Sequence, residues 1–293
     1  MVWLQGAYRD RSILGHCHGR DHDSCQCERC YAISRPHRLT IDCNDIFLQT
    51  QFLRKYQFLM RLFQYMRLFL SGGGSDKESI ELDKKYTRSL NTSKPVLYLP
   101  IAINIKEHPY QECLQWIRRQ FQPLGFDNFI MWEEGDLRDK TLKDFGQFCG
   151  IYIGGGNTFK LLKELKEFGT FEILMDLAQK DLPIYGGSAG AIILARTIIP
   201  ALSADANDVS ITDFSALNLV QGYDIWCHYK EQMDEKIYTY AREHDLKQII
   251  AIPESAGLYA TDNAIEAVGP SGISVFISGV KRNIKPGETV WCV

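Results

Sequence analysis

From Met66 onward the chain alternates apolar runs of strand length with amphipathic stretches of helix length, and few architectures accept that rhythm. Residues 66–70, 95–100, 128–132, 149–153, 183–186, 223–228 and 248–252 read as strands. Between them, Ser75 and Glu78 have the spacing of a capping box and predict a helix to about Leu90. Further helices are expected over 110–121, 159–168, 171–180, 189–196 and 231–244. Strands that alternate with helices argue for a mostly parallel sheet flanked by helices on both faces, an α/β fold. After Gly257 the runs shorten and are separated by Gly and Pro, which predicts antiparallel strands near the C-terminus.

Residues 1–65 do not share this rhythm. They hold five of the nine cysteines (Cys17, Cys25, Cys27, Cys30 and Cys43), with His16, His18 and His22 close by. Such a set could ligate zinc, but the spacing of Cys25, Cys27 and Cys30 matches no standard finger. Residues 48–62 have the apolar content of a helix, yet they run into the strand at Met66 without a linker. The segment 1–65 is therefore read as an N-terminal extension, disordered or not native to the domain, and no metal or cofactor is expected. The other cysteines, Cys113, Cys149, Cys227 and Cys292, stand among apolar neighbours. They read as small core residues of a cytoplasmic protein. A net charge of -3 argues against nucleic-acid binding by bulk charge. No apolar run reaches the length of a membrane span, and the early Arg9, Asp10 and Arg11 do not fit a secretory signal.

Two glycine-rich turns mark strand-to-helix junctions. Gly186-Gly187-Ser188-Ala189-Gly190 has the pattern G-x-S-x-G. A nucleophilic serine needs a sharp turn with small neighbours, so that its hydroxyl stands clear of the sheet. Here every flanking residue is Gly or Ala, which makes Ser188 the candidate nucleophile. The first N–H groups of the following helix, beginning with Ala189, can receive a developing oxyanion. The alternative is a turn that serves only packing, with Ser188 as a helix cap. Gly154-Gly155-Gly156-Asn157-Thr158 follows the strand at 149–153. It lacks the lysine of a P-loop and the spacing of G-x-G-x-x-G. N–H donors of Gly155 and Gly156 in an oxyanion hole are preferred to a phosphate cradle. Otherwise the glycines merely permit the turn and Asn157 caps the helix.

An activated serine requires a base. Three histidines follow Met66. His108 precedes a proline, and His244 stands among Arg242, Glu243 and Asp245. His228 ends a strand, where parallel sheets gather functional groups, so it is the preferred base. The competing reading is a half-buried imidazole bonded to backbone. A third group should fix the imidazole tautomer. Glu254, just past the strand at 248–252, has the better position; Asp205 and Asp208 lie in the loop after the nucleophile helix. For all three, a solvated loop carboxylate is the ordinary alternative.

With these motifs in this order, residues 66–293 resemble the serine peptidase family of aspartyl dipeptidase (dipeptidase E), to which cyanophycinase is related. The matching pieces are Leu68-Phe69-Leu70-Ser71-Gly72-Gly73-Gly74, the turn 154–158, the elbow 187–191, His228-Tyr229 and Ile252-Pro253-Glu254. The resemblance implies an α/β fold related to class I glutamine amidotransferases and makes 66–293 the catalytic domain. It implies a triad of Ser188, His228 and Glu254, with an oxyanion hole from Ala189 and a glycine of the 154–156 turn. Asp208 is the nearest match to an aspartate that matters in the family, and Asp208 and Asn157 are carried as substrate-binding residues. The implied partner is a short peptide, with no nucleic acid and no membrane; a homodimer is left open. The stretch from Ser188 to Asp208 is longer than in typical members, and no arginine stands where Asp-selective members carry a basic loop. The reading therefore stops short of aspartate selectivity. Against it stand an esterase or amidase on the same scaffold and a silent binding homologue. A glutamine amidotransferase would need cysteine in place of Ser188.

Overall fold

The computed structural model describes residues 66–75 and 77–291. The Cys25–Cys30 cluster, the apolar stretch 48–62 and Cys292 lie outside the described residues. The strands are β1 (Leu68–Ser71), β2 (Val96–Leu99), β3 (Phe129–Met131), β4 (Gly150–Ile153), β5 (Ile184–Gly187), β6 (Asp224–Trp226), β7 (Gln248–Ala251), β8 (Gly257–Ala260), β9 (Ala264–Val268), β10 (Ile273–Ile277), β11 (Val280–Ile284) and β12 (Thr289–Trp291). The helices are α1 (Ile80–Ser89), α2 (Tyr110–Phe121), α3 (Leu142–Phe145), α4 (Thr158–Glu167), α5 (Thr170–Gln179), α6 (Ala189–Leu194) and α7 (Asp234–Glu243).

An eight-stranded sheet runs in the order β12-β9-β8-β1-β5-β4-β2-β3. The five strands from β1 to β3 in that order are parallel, and β8, β9 and β12 extend the sheet antiparallel. This is the helix-flanked, mostly parallel sheet with antiparallel C-terminal strands that the sequence pattern leads one to expect. Every residue of β1, β2, β4 and β5 is buried. Helices cover both faces, so these strands are apolar throughout instead of alternating. Successive side chains still part to opposite faces. Leu68, Leu70, Leu97, Leu99, Ile151 and Ile153 pack with α4, α5 and α6. Phe69, Val96, Tyr98, Tyr152 and Tyr185 pack on the other face with α1 and α2.

That second face is aromatic and holds one buried acid. Tyr152 and Tyr185 stack with ring centroids 4.5 Å apart. Asp83, fully buried on α1, accepts from Ser79 Oγ at 2.9 Å, Gln120 Nε2 at 2.7 Å and Tyr185 Oη at 2.8 Å. Several donors on one carboxylate offset the cost of removing it from water. The Ser79 hydroxyl is committed to Asp83, and α1 begins at Ile80, not at Ser75 as the capping pair suggests. Residues 77–79 before it form a turn, in which the Glu78 N–H donates to the Ser75 carbonyl at 3.0 Å.

The strands that carry His228 and Glu254 are not in the main sheet. They belong to a four-stranded sheet, β11-β10-β7-β6, in which β6 and β7 are parallel. Ile225, Ile250 and Val275 turn toward the main core, while Trp226, Ile249 and Phe276 pack with Ile237 of α7. The junction is made by Arg196. The expected helix to 196 stops at Leu194, because Ala195 is extended and the Arg196 guanidinium reaches Asp224 of β6 at 2.6 and 3.1 Å. Thr197 adds its N–H and hydroxyl to the same carboxylate, at 3.0 and 2.7 Å. Among the described residues, no helix is long and apolar enough to cross a membrane. No group of three or more His, Cys, Asp or Glu among them could hold a metal ion.

Asp224 is fully buried and Arg196 about one-third exposed. Asp224→Ala strands three polar groups at the junction of the two sheets and is expected to cost about 2 to 3 kcal/mol. The check is a urea titration, in which the midpoint falls while the slope holds.

Candidate active site

Ser188 stands between β5 and α6 with φ 47° and ψ -106°. A non-glycine residue at positive φ is strained, and such strain collects where a side chain must be aimed. The glycines of the motif have identifiable reasons. A Cβ on Gly186 would lie 2.3 Å from the Gly190 carbonyl oxygen, and one on Gly190 would lie 2.2 Å from that of Ile153. So α6 is pressed onto the sheet with no room for a methyl group at either end of the turn. The Ser188 carbonyl accepts from Ala191 and Ile192 at 2.8 and 3.0 Å, but its side chain makes no cap hydrogen bond. The hydroxyl is therefore left for other work.

That hydroxyl meets His228 Nε2 at 2.8 Å, and His228 Nδ1 meets Glu254 Oε1 at 2.9 Å. An ionised carboxylate only accepts, so Nδ1 carries the proton and Nε2 is left to accept from Ser188. Both side chains are close to half exposed. They arrive from the small sheet, just past the ends of β6 and β7, and the Ser71–Gly74 segment receives them. The His228 N–H donates to the Gly72 carbonyl at 2.9 Å. A Cβ on Gly72 would lie 2.1 Å from the Pro253 oxygen, one on Gly73 2.1 Å from His228 Cε1, and one on Gly74 2.1 Å from the Glu254 oxygen. In the sequence these three glycines stand only within the matching piece Leu68–Gly74. They form the floor on which the imidazole and carboxylate segments rest, and the run of three was the signal.

In the 154–158 turn, the Gly154 N–H donates to Leu99 at 2.9 Å and that of Asn157 to Ala102 at 2.8 Å. Among the described residues this leaves the N–H groups of Gly155 and Gly156 uncommitted. Gly155 is the nearer to the serine: a Cβ there would lie 3.4 Å from Ser188 Cβ. Asn157 is occupied structurally. Its Oδ1 caps α4 by accepting from Lys160 at 2.9 Å, and its Nδ2 donates to Ala206 at 2.8 Å. That second bond ties Asn157 to the 204–208 loop, in which Asp205 is half-buried and Asp208 is exposed. Asp205 Oδ2 accepts from the Thr158 N–H at 2.8 Å and lines a pocket of about 420 Å³ with Ser188 and His228. Asp208 lines neither pocket at Ser188, whereas Asp205, weighed from sequence only as a third triad member, does.

A second pocket of about 420 Å³ is also lined by Ser188, with Tyr98, Trp116 and Tyr152. His108 lies in that pocket, and His244 is exposed against Tyr240. Neither shares a hydrogen bond with Ser188. Cys227 is buried, with its thiol 3.6 Å from the Ser188 backbone carbonyl oxygen. Burial, with Asp205 adding to it, pushes this thiol far up, so it stays protonated and unreactive.

A hydroxyl, an imidazole and a carboxylate hydrogen-bonded in line on a parallel α/β scaffold is the arrangement of a hydrolytic enzyme. The model of peptidase family S51 matches residues 68–268, and the chain belongs to that family; it is a peptidase. It is 27% identical over 214 residues to a probable alpha-aspartyl dipeptidase of Drosophila melanogaster, covering 63% of this chain and 83% of that one. It is 29% identical over 148 residues to Peptidase E of a Shewanella species, a match that spans 47% of this chain and 61% of that protein. Among solved structures, a putative Peptidase E protein from Listeria monocytogenes superimposes with a TM-score of 0.55 at 23% identity, covering 71% of this chain and all of that one. A peptidase from an acI-B1 actinobacterium gives 0.59 at 16% identity, covering 78% and 98%. At these identities the structural likeness speaks for the fold.

The floor under His228 yields a test. Gly73 has φ 110°, and Gly73→Ala would drive a methyl group into the imidazole. The ring must shift by an ångström or more, and the expected loss in peptidase kcat is on the order of 10²-fold. Steady-state kinetics alongside circular dichroism check it; an unchanged kcat in folded protein would mean that the ring has room to spare.

Proposed function

We propose that this peptidase is a serine exopeptidase that hydrolyses short peptides through an acyl-enzyme, with Ser188 as nucleophile, His228 as general base and Glu254 as its orienting carboxylate. The observation that carries the reading is the unbroken line of hydrogen bonds from Ser188 Oγ through His228 to Glu254, at 2.8 and 2.9 Å. Ser188 Oγ attacks the peptide carbonyl carbon and its proton passes to His228 Nε2. The carbonyl oxygen becomes an oxyanion, held by the N–H groups of Ala189 and Gly155, with Gly156 next in the turn. The imidazolium, stabilised by Glu254, then protonates the leaving amine, and the C–N bond breaks. Water, deprotonated by His228, attacks the acyl ester and releases the acid product and Ser188.

Asp205 supplies the exopeptidase character. Its carboxylate lies in the pocket shared with Ser188 and His228, where a peptide's terminal ammonium can pair with it. In this reading Asp205 takes the substrate-binding role that the resemblance implies for Asp208. Relatives named Peptidase E and alpha-aspartyl dipeptidase support short peptides as the substrate class. Free, buried Cys113, Cys149 and Cys227 accord with a reducing compartment, and the cytoplasm is the proposed location.

Three measurements test this. A fluorophosphonate should label wild-type protein and fail on Ser188→Ala, while His228→Ala should lose at least ~10²-fold in kcat/KM. Glu254→Gln should depress kcat by a similar factor for every peptide; Asp205→Asn should act mainly on KM, and only for peptides with a free amino terminus. Asp208→Asn should stay near wild type, and a substrate-independent collapse of kcat there would reverse the assignment. Residues 66–293 are proposed as the catalytic domain, so a chain beginning at Met66 should keep the activity of the full chain.

A further inference from the structure

Ser71 ends β1 where the glycine floor begins, and its two polar groups serve different parts of the site. Its carbonyl accepts from the Ser188 N–H at 3.3 Å. Its hydroxyl accepts from the Gly73 N–H, also at 3.3 Å, and Gly73 is the residue on which the His228 ring rests. Ser71 is 2% exposed, so its own hydroxyl proton needs an acceptor inside the protein. That acceptor is Tyr185. In the parallel pair of β1 and β5, Phe69 stands opposite Tyr185, and alternation puts Ser71 on the same aromatic face. Burial foremost, and then the Asp83 carboxylate, push the Tyr185 phenol up, while a hydrogen bond from the Ser71 side chain works against them. A bond that eases the loss of the phenol proton is one in which Ser71 donates.

The line continues into the core. Tyr185, 1% exposed, donates to Asp83 Oδ1 at 2.8 Å. The two oxygens of Asp83 serve different elements. Oδ1 takes the phenol of β5, while Oδ2 takes Ser79 at 2.9 Å and Gln120 at 2.7 Å, from the start of α1 and from α2. So Oδ2 ties the helices together, and Oδ1 begins a directed line: Tyr185 donates to Asp83, Ser71 to Tyr185 and the Gly73 N–H to Ser71. Each hydroxyl gives one bond and receives one, which fixes its rotor. Neither Ser71 nor Tyr185 lines a pocket at Ser188, so neither is placed to touch a substrate.

We propose that Ser71 and Tyr185 are positioning residues of the peptidase reaction. Anchored on Asp83 Oδ1, they hold Gly73, and through it the His228 imidazole, within 2.8 Å of the Ser188 hydroxyl. The inference rests on Ser188 and His228 being nucleophile and base. Loss of either hydroxyl frees the Gly73 segment, the ring drifts from the serine, and the chemical step slows while the pockets keep their shape. Loss of an Oδ2 partner loosens the helices and leaves the ring where it is.

The test uses the full chain and a fluorophosphonate, whose reaction with Ser188 needs no knowledge of the peptide. In Tyr185→Phe and in Ser71→Ala, kinact should fall about tenfold with KI within about twofold of wild type. The double variant should lose little more than either single one, because both cut the same line. Gln120→Leu and Ser79→Ala should lower the urea midpoint and keep kinact. The second readout is the Cε1–H resonance of His228 in protein labelled at histidine, assigned by its absence in His228→Ala. It should move in the first two variants and hold in the other two. Tyr185→Phe keeps the ring and its stack on Tyr152, so it decides the matter if Ser71→Ala does not fold. An unchanged kinact and an unmoved resonance in folded Tyr185→Phe overturn the inference. So do equal losses of kinact in all four variants, which would make the network a stabilising one only. Wild-type protein that does not label, or His228→Ala that labels at the wild-type rate, overturns the reading of Ser188 and His228 and this inference with it.

Discussion

At Gly190 the backbone of α6 lies so near β4 that a single methyl group would reach within 2.2 Å of the Ile153 carbonyl. The same intolerance recurs where Gly72, Gly73 and Gly74 meet Pro253, His228 and Glu254. Chain segments from both sheets converge on these points, and each contact is backbone or imidazole against a residue without a side chain. That convergence sets the positions of Ser188, His228 and Glu254. If α6 stood farther from β4, Ser188 would lose its aim. With a Cβ at Gly73, the imidazole could not stay within 2.8 Å of the serine.

The molecule divides the work between two sheets. The parallel sheet, buried on both faces, carries Ser188 on the end of β5, while the small sheet carries His228 and Glu254 beyond β6 and β7. A hydrogen-bonded line between side chains on separate sheets needs a rigid joint. The fully buried Asp224 with Arg196 and Thr197 supplies one, and the His228 N–H on Gly72 supplies another. Charge pairs of this kind add little net stability over an apolar replacement, but they are costly to break, so their value lies in fixing one arrangement. The aromatic layer under the elbow has a related logic. Asp83 takes the Tyr185 hydroxyl, Tyr185 stacks on Tyr152, and Tyr152 lines the pocket.

Much of this was legible in the sequence, because the physical signals are local. Strands buried on both faces must be apolar throughout, which is why β1, β2, β4 and β5 could be read from composition alone. The helix over Tyr110–Phe121 begins and ends where its apolar spacing says it should. Ser188 was legible because a strand, small residues and an apolar helix are contiguous. His228 could be singled out by its place just past a strand, among only three histidines after Met66.

What the sequence by itself determined is the α/β rhythm, the two glycine-rich turns and the types of side chain available to the site. The tertiary structure alone decided which strands share a sheet, since β6 and β7 read like the others and only pairing separates them. It also decided that Arg196 leaves its helix for Asp224, and that Ser79 serves Asp83 instead of a helix start near Ser75. Asp205 is turned in by the Thr158 N–H on its carboxylate, while Asp208 stays exposed, and the Asn157–Ala206 bond is one of several that hold their loop. Only Ala206 and Asn207 separate the two acids, and nothing in their neighbours distinguishes them. Periodicity is written along the chain, whereas the direction of a loop side chain is set by partners dozens of residues away.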